Sequence, residues 1–193
     1  MISAGGLALV LLAAGQGRRF GGGKLAADFR GEPLLFHAAR TLSRFDFPAG
    51  RFVVASASAP SLSAMGYQTI LLEPEGAPLS RSLALGLGAA QASGAQGVMM
   101  ALGDMPLVPR HHIEALLSHF DGDRIATQVG HHRQPPAILG RRHFPALLAL
   151  QGDKGAGALL HGCPVCVLEP EFAIDIDTLD DLDRAGRLAD PQG

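Results

Sequence analysis

Apolar and polar positions along the chain form short buried runs separated by stretches with helical spacing. Leu7 to Leu12 is continuously apolar, and Phe52 to Ala55, Thr69 to Leu72 and Val98 to Leu102 are similar, shorter runs. Runs of this length without polar alternation predict strands covered on both faces. Leu79, Leu83, Leu87 and Ala90 recur at helical spacing over Leu79 to Ala92. Helices are also predicted from Pro33 to about Phe45, over Pro109 to Phe120 and over Phe144 to Leu150. Arg124 to Val129, Val165 to Leu168 and Phe172 to Ile176 read as further strands. Thr178 to Leu188 reads as a terminal helix, opened by Thr178 with Asp181 three residues on. Such alternation implies an α/β fold, with a mainly parallel sheet covered on both faces. No repeat or linker divides the chain, so residues 1–193 read as a single domain.

Ligands bind such sheets at the carboxyl ends of the strands. That rule selects Ala13 to Lys24, Gly103 to Pro106 and the chain near Asp175. In the first segment the strand runs into Leu12-Ala13-Ala14-Gly15-Gln16-Gly17-Arg18-Arg19-Phe20-Gly21-Gly22-Gly23-Lys24. Five glycines let backbone N–H groups approach a phosphate chain closely, and Arg18, Arg19 and Lys24 add positive charge. Two common phosphate loops are excluded. A Walker A loop needs glycine where Arg18 stands and Ser or Thr where Leu25 stands, and a dinucleotide fingerprint needs glycine at Phe20.

In the second segment, Asp104 of Gly103-Asp104-Met105-Pro106 follows a buried strand, where a carboxylate is well placed to hold a hard cation such as Mg²⁺. In the third, Asp175 and Asp177 alternate with Ile174 and Ile176, so in extended chain both point to one side and either or both can complete a metal site. Asp180 and Asp181 suit the positive end of the following helix.

These segments together resemble the MobA-like nucleotidyltransferase superfamily of the molybdenum-cofactor enzymes. Its loop pattern, Leu-x-Ala/Gly-Gly-x-x-x-Arg-x-Gly-x-x-Lys, is filled here by Leu12, Ala14, Gly15, Arg19, Gly21 and Lys24. Gly103-Asp104-Met105-Pro106 is similar to the second motif of the cytidylyltransferase branch, whose Asp is a metal ligand. Asp175-Ile176-Asp177-Thr178 resembles the family's late Asp-Ile-Asp-Thr motif, with Leu179 where Pro is usual, and Asp175 is favoured as the second ligand. Ser80-Arg81-Ser82-Leu83-Ala84-Leu85-Gly86-Leu87 is similar to Ser-x-Ser-Leu-x-x-Gly-Leu, which implies base or ribose contacts through Ser80 and Ser82. Gln134-Pro135-Pro136 resembles a Gly-x-Pro segment before a strand. Gly152-Asp153-Lys154-Gly155-Ala156-Gly157 resembles Gly-Asp-x-Gly-Ala-Arg, with Gly157 in place of the arginine.

The resemblance implies a Rossmann-like three-layer sandwich of the nucleotide-diphospho-sugar transferase type, with a mostly parallel mixed sheet. It implies transfer of CMP from CTP to a phosphate monoester, with Mg²⁺ as cofactor. Arg19, Lys24 and Asp104 would be catalytic. Leu12, Ala13, Ala14, Gly15, Gly17, Arg19, Lys24, Ser80, Ser82 and Gly103 would bind nucleotide, and Asp104 and Asp175 the metal. Ala13-Ala14-Gly15, in place of Ala-Gly-Gly, favours CTP over GTP. Molybdopterin is the expected acceptor, and a molybdoenzyme or maturation factor the expected protein partner. The competing enzymes are a methylerythritol phosphate cytidylyltransferase and a molybdenum cofactor guanylyltransferase. The non-enzymatic alternative is a nucleotide-binding partner of a molybdoenzyme.

Composition narrows the remaining classes. Charged residues are 18% of the 193 and the formal net charge is −2, without a basic run, which disfavours nucleic acid. Aromatics are scarce, with no Trp, one Tyr and nine Phe, which argues against a base-stacking platform. Leu7 to Ala14 is too short to span a bilayer and lacks a preceding basic region, so neither a membrane segment nor a signal peptide is expected, and the cytoplasm is the expected compartment. Cys163 and Cys166 are expected to be ordinary strand residues, without a second pair to complete a zinc site. The His111-His112 and His131-His132 pairs are expected to be non-catalytic. The second, with Arg133, lies in a predicted loop that is solvated or faces an anionic substrate.

Overall fold

The computed structural model describes residues 6–15, 17–152 and 155–188, with Arg18 described in its backbone alone. Asp153 and Lys154, part of one motif above, lie outside the described residues, as does the Arg18 side chain.

In chain order the strands are β1 (Leu7–Ala13), β2 (Asp28–Phe29), β3 (Glu32–Pro33), β4 (Arg51–Ala55), β5 (Gln68–Leu71), β6 (Gly97–Leu102), β7 (Arg124–Val129), β8 (His132–Gly140) and β9 (Val165–Val167). The helices are α1 (Leu34–Ser43), α2 (Leu79–Ala92), α3 (Arg110–His119), α4 (Phe144–Leu148) and α5 (Leu179–Gly186). Seven strands form one sheet in the order β5-β4-β1-β6-β8-β7-β9, and β2 pairs with β3 in a small separate hairpin. β5, β4, β1 and β6 are parallel, β8 is antiparallel to both β6 and β7, and β9 is parallel to β7. The fold is a mostly parallel α/β sandwich, as the alternation of elements predicts.

Every residue of β1 is buried because both of its faces are covered. Leu7, Leu9 and Leu11 join Leu35, Ala39 and Leu42 of α1 and Ile113 and Leu116 of α3 in one core layer. Ala8, Val10 and Leu12 join Leu83, Leu87 and Ala90 of α2 and Phe144 and Leu147 of α4 in the other. The continuous apolar run follows from this arrangement. Gly86 allows the second layer to close: a Cβ there would lie 2.4 Å from Val10 Cγ1 and 3.1 Å from Val54 Cγ2.

Two readings change. Phe172 to Ile176 is not a strand. A 3-10 turn at Pro170–Phe172 leads into chain outside the sheet, tied to the β6 loop by the Ile176 N–H donating to Asp104 O at 3.0 Å. Ile174 and Ile176 are buried instead against Phe29, Leu34, Leu107 and Ala185, so their alternation reflects a side cluster. The stretch around His132, expected as a loop, begins the nine-residue strand β8. Its register jumps from Ala126–Ala137 to Thr127–Gln134. Pro135 and Pro136 have no N–H for the ladder, and the strand bulges around them.

Candidate functional site

The glycine-rich loop leaves β1 at Ala13 and returns as a 3-10 turn at Lys24–Ala26. Gly17, Gly21, Gly22 and Gly23 all have positive φ. At Gly17 (φ 54°) a Cβ would also stand 3.0 Å from Lys24 Cβ, so this position needs glycine both for its backbone and for the lysine beside it. The loop closes on itself, with the Phe20 and Gly22 N–H groups donating to Gly17 O at 2.9 and 3.2 Å.

Lys24 is directed inward and is 5% exposed. Its ammonium donates to Asp104 Oδ2 at 2.7 Å and to Asp177 Oδ1 at 3.0 Å, with Asp175 Oδ1 at 3.9 Å. The three carboxylates present oxygens all within 4.8 Å of one another. Burial alone would lower the Lys24 pKa, but Asp104, Asp177 and Asp175 outweigh it and hold the ammonium above its usual range. Desolvation, followed by repulsion from Asp104, pushes the Asp175 carboxyl up to about 7.

Local structure fixes the donors. The Gly103 N–H donates to Leu12 O at 2.9 Å, and a Cβ on Gly103 would meet Leu35 Cδ1 at 2.6 Å, so the chain passes tightly against α1 before presenting Asp104. At the other motif, a capping box opens α5: Asp181 N–H donates to Thr178 Oγ1 at 3.1 Å and Thr178 N–H to Asp181 Oδ2 at 2.9 Å. Such a cap contributes about 1 kcal/mol. Asp181 Oδ2 also accepts from the Asp177 N–H at 3.2 Å, so the cap orients the residue that carries a site carboxylate.

These elements enclose a cavity of about 510 Å³ at the carboxyl ends of β1 and β6. Gly15, Gly17, Arg19 and Lys24 line its basic part and Asp104 and Asp177 its acidic part, while Leu12, Ala14, Gly76, Ala77, Leu79, Ser82 and Leu102 line the rest. Most residues singled out in the sequence therefore converge. Others sit apart from the lining. Ala13 is buried in the core, Gly103 acts by close approach, and Ser80 is half-buried with its N–H donating to Gly152 O at 3.1 Å. Asp175 joins the carboxylate cluster without lining the cavity. Asp177, the less favoured aspartate, does line it. Gly76, Ala77, Leu79 and Leu102 carried no distinguishing signal, because their contribution is shape.

Cys163 is buried, Cys166 is half-buried, both are free, and burial raises both thiols. His111 is exposed, whereas His112 is buried and bonded to Thr127 Oγ1 at 2.8 Å.

A family model described as "MobA-like NTP transferase domain" matches residues 9–167. The chain belongs to this family. As a MobA-like NTP transferase it is a nucleotidyltransferase, taking a nucleoside triphosphate and a phosphate-bearing acceptor. Purine catabolism protein PucB of Bacillus subtilis (strain 168) is 27% identical over 185 residues, covering 89% of this chain and 90% of that protein. A probable molybdenum cofactor guanylyltransferase of Pyrococcus horikoshii is 31% identical over 119 residues, covering 61% of this chain and 58% of that protein. Among solved structures, Rv0371c from Mycobacterium tuberculosis H37Rv superposes with TM-score 0.79 at 22% identity, covering 96% of this chain and 100% of that one. Its complex with manganese superposes with TM-score 0.71 at 22% identity, covering 95% and 99%. Among the described residues of this MobA-like chain, no helix is long and apolar enough to cross a membrane.

Proposed function

We propose that this enzyme transfers CMP from CTP to the phosphate monoester of molybdopterin or its molybdenum form, releasing pyrophosphate. The observation that carries the reading is the meeting of the glycine loop, Lys24 and three carboxylates at one mouth of the sheet. The acceptor phosphate oxygen forms a new P–O bond at the α-phosphorus as the bond to the β-phosphate breaks. That phosphate has its second pKa near 6, so it is largely ionised at neutral pH and needs no general base.

The oxygen-only donor set of Asp104, Asp175 and Asp177 suits Mg²⁺, and a related fold has been solved with manganese. When bound, the cation would neutralise phosphate charge. Asp104 holds one side of the cluster from the β6 loop, and Asp175 and Asp177 hold the other from the chain before α5. Arg19, exposed at the cavity, and Lys24 place positive charge where the α-phosphate and the departing pyrophosphate gain negative charge. The Ala13-Ala14-Gly15 start of the loop supports CTP as donor, and Ala14, Gly76, Ala77 and Ser82 all line the cavity, Ser82 supplying a polar group.

The relative named a guanylyltransferase supports a second reading, with GTP as donor. Pyrophosphate release measured with each of four nucleoside triphosphates, with and without molybdopterin, separates the two. The cytidylyl reading expects release only with CTP and acceptor together. Release with GTP alone among the four would replace it by the second reading.

A further inference from the structure

Arg133 of β8 stands at the carboxyl end of the sheet, and its side chain has no polar partner among the described residues. It precedes by four residues Ala137, which pairs with Met100 of β6. Because β8 runs antiparallel to β6, Arg133 lies toward the end at which Leu102 leads into Asp104. β8 is the next strand to β6, and neighbouring strands are about 4.8 Å apart. Pairing also fixes the face. Thr127, opposite Gln134, meets His112 of α3 on one side of the sheet. Arg133, opposite Gln128, therefore points to the other side, where α2 and the turn Ala156–Leu160 lie. The Arg133 charge acts on Cys163 of that same layer. α2 also supplies Leu79 and Ser82 to the nucleotide cavity, so Arg133 and the cavity share one face and one end of the sheet.

The Arg133 Nε is sealed from solvent with no hydrogen-bond acceptor. Arg51 and Arg124 also have a buried, unpartnered Nε, but each gives another N–H to a carbonyl, Phe45 O at 2.6 Å and Leu159 O at 2.6 Å. Among the described residues, the Arg133 side chain makes no hydrogen bond or ion pair. A buried guanidinium N–H without an acceptor is costly, and Arg133 as a whole is only half-buried, so a phosphate meeting the outer nitrogens of its fork would supply the missing counter-charge. We infer that Arg133 receives the phosphate of the acceptor and holds it one strand over from the carboxylate cluster. The assignment rests on the nucleotidyl-transfer reading.

Calorimetry with the magnesium complex of α,β-methylene CTP, followed by titration of inorganic phosphate into the loaded protein, tests this on wild type, Arg133→Gln and Arg133→Lys. The analogue is expected to bind all three alike. Phosphate is expected to bind loaded wild type, at least ten-fold more weakly the Gln variant, and the Lys variant in between. Equal phosphate affinity in wild type and Arg133→Gln, or none in loaded wild type, overturns the assignment. So does loss of analogue binding in Arg133→Gln alone, which would place Arg133 in support of the nucleotide cavity. If wild type fails to bind the analogue, the CTP reading fails by itself. Phosphate titration of the unloaded proteins then decides Arg133: a ten-fold ratio sustains the anion site and equal affinities remove it.

Discussion

The ammonium of Lys24 lies 2.7 Å from Asp104 Oδ2, although the two residues are 80 positions apart. With Asp177 at 3.0 Å and Asp175 at 3.9 Å, the lysine sits among the carboxylates proposed to hold a divalent cation. A buried ammonium and a bound cation would compete for the same oxygens. With a cation on the carboxylates, Lys24 would be free to meet phosphate.

Lys24→Met is therefore expected to lower the melting temperature in EDTA, because three clustered carboxylates lose their counter-charge. Mg²⁺ should stabilise the variant more than the wild type, while transfer falls by about 10²-fold or more for want of the charge on the phosphates. Melting curves with and without Mg²⁺ check the first part. An equal Mg²⁺ shift in both proteins would show that lysine and cation do not share the site.

Asp104→Ala is expected to abolish pyrophosphate release while leaving the fold intact, since Asp104 is partly exposed at a strand end. Asp175→Asn and Asp177→Asn should each weaken Mn²⁺ binding, measured by electron paramagnetic resonance of the free ion. Asp177 should weigh at least as much as Asp175, because it alone of the two lines the cavity. An active Asp104→Ala enzyme would remove the cluster from the mechanism.

The fold was legible where burial left a simple pattern. The apolar runs of β1 and β6 and the helical spacing of α2 marked the sheet and the layer above it, and the loop between Leu12 and Lys24 marked its binding end. What escaped had a cause beyond local pattern. β8 is interrupted by Pro135-Pro136, which hides its periodicity, and the Phe172 to Ile176 alternation arises from packing against Phe29 and Ala185. Within the candidate site, charge and glycine were legible. The walls at Gly76 and Ala77 were not, because they act through the path of the backbone. Which aspartate meets Lys24 and lines the cavity depends on long-range position, which no short window contains.

The serines of α2 are two residues apart, about 200° around the helix axis, and so face different ways. Ser82 is 4% exposed and lines the cavity, whereas Ser80 sits outside the lining. Ser82→Ala should raise KM for the nucleoside triphosphate several-fold and Ser80→Ala should leave it near wild type. Steady-state kinetics in which Ser80→Ala gives the larger change would reverse the assignment.

Gly86→Ala tests how closely α2 approaches the sheet. The added methyl would meet Val10 Cγ1 at 2.4 Å, and Val10 is a stiff β-branched side chain on a central strand. Overpacking of this kind costs about 1–3 kcal/mol. Urea unfolding should show a lower midpoint with an unchanged slope, and a midpoint at or above wild type would mean that the layer yields freely.

His112 supplies a pH dependence of stability separate from the cavity. Burial, with a smaller contribution from His111, lowers its pKa from 6.5 to about 4. Thr127 Oγ1 donates its single proton to Pro136 O at 2.7 Å, so it accepts from His112 Nε2–H, and the neutral ring keeps its other nitrogen unprotonated. Between pH 4 and 6.5 the unfolded chain binds a proton at this residue that the folded chain does not, so stability rises with pH across that window. The contribution is full above pH 6.5 and is lost as pH falls toward 4, on the order of 3 kcal/mol at 1.36 kcal/mol per unit. Gln at this position can still donate to Thr127 but does not titrate. His112→Gln is therefore expected to flatten the denaturation profile between pH 4 and 6.5, with little change at pH 7.5. An identical slope in both proteins would show that His112 does not set the acid limb.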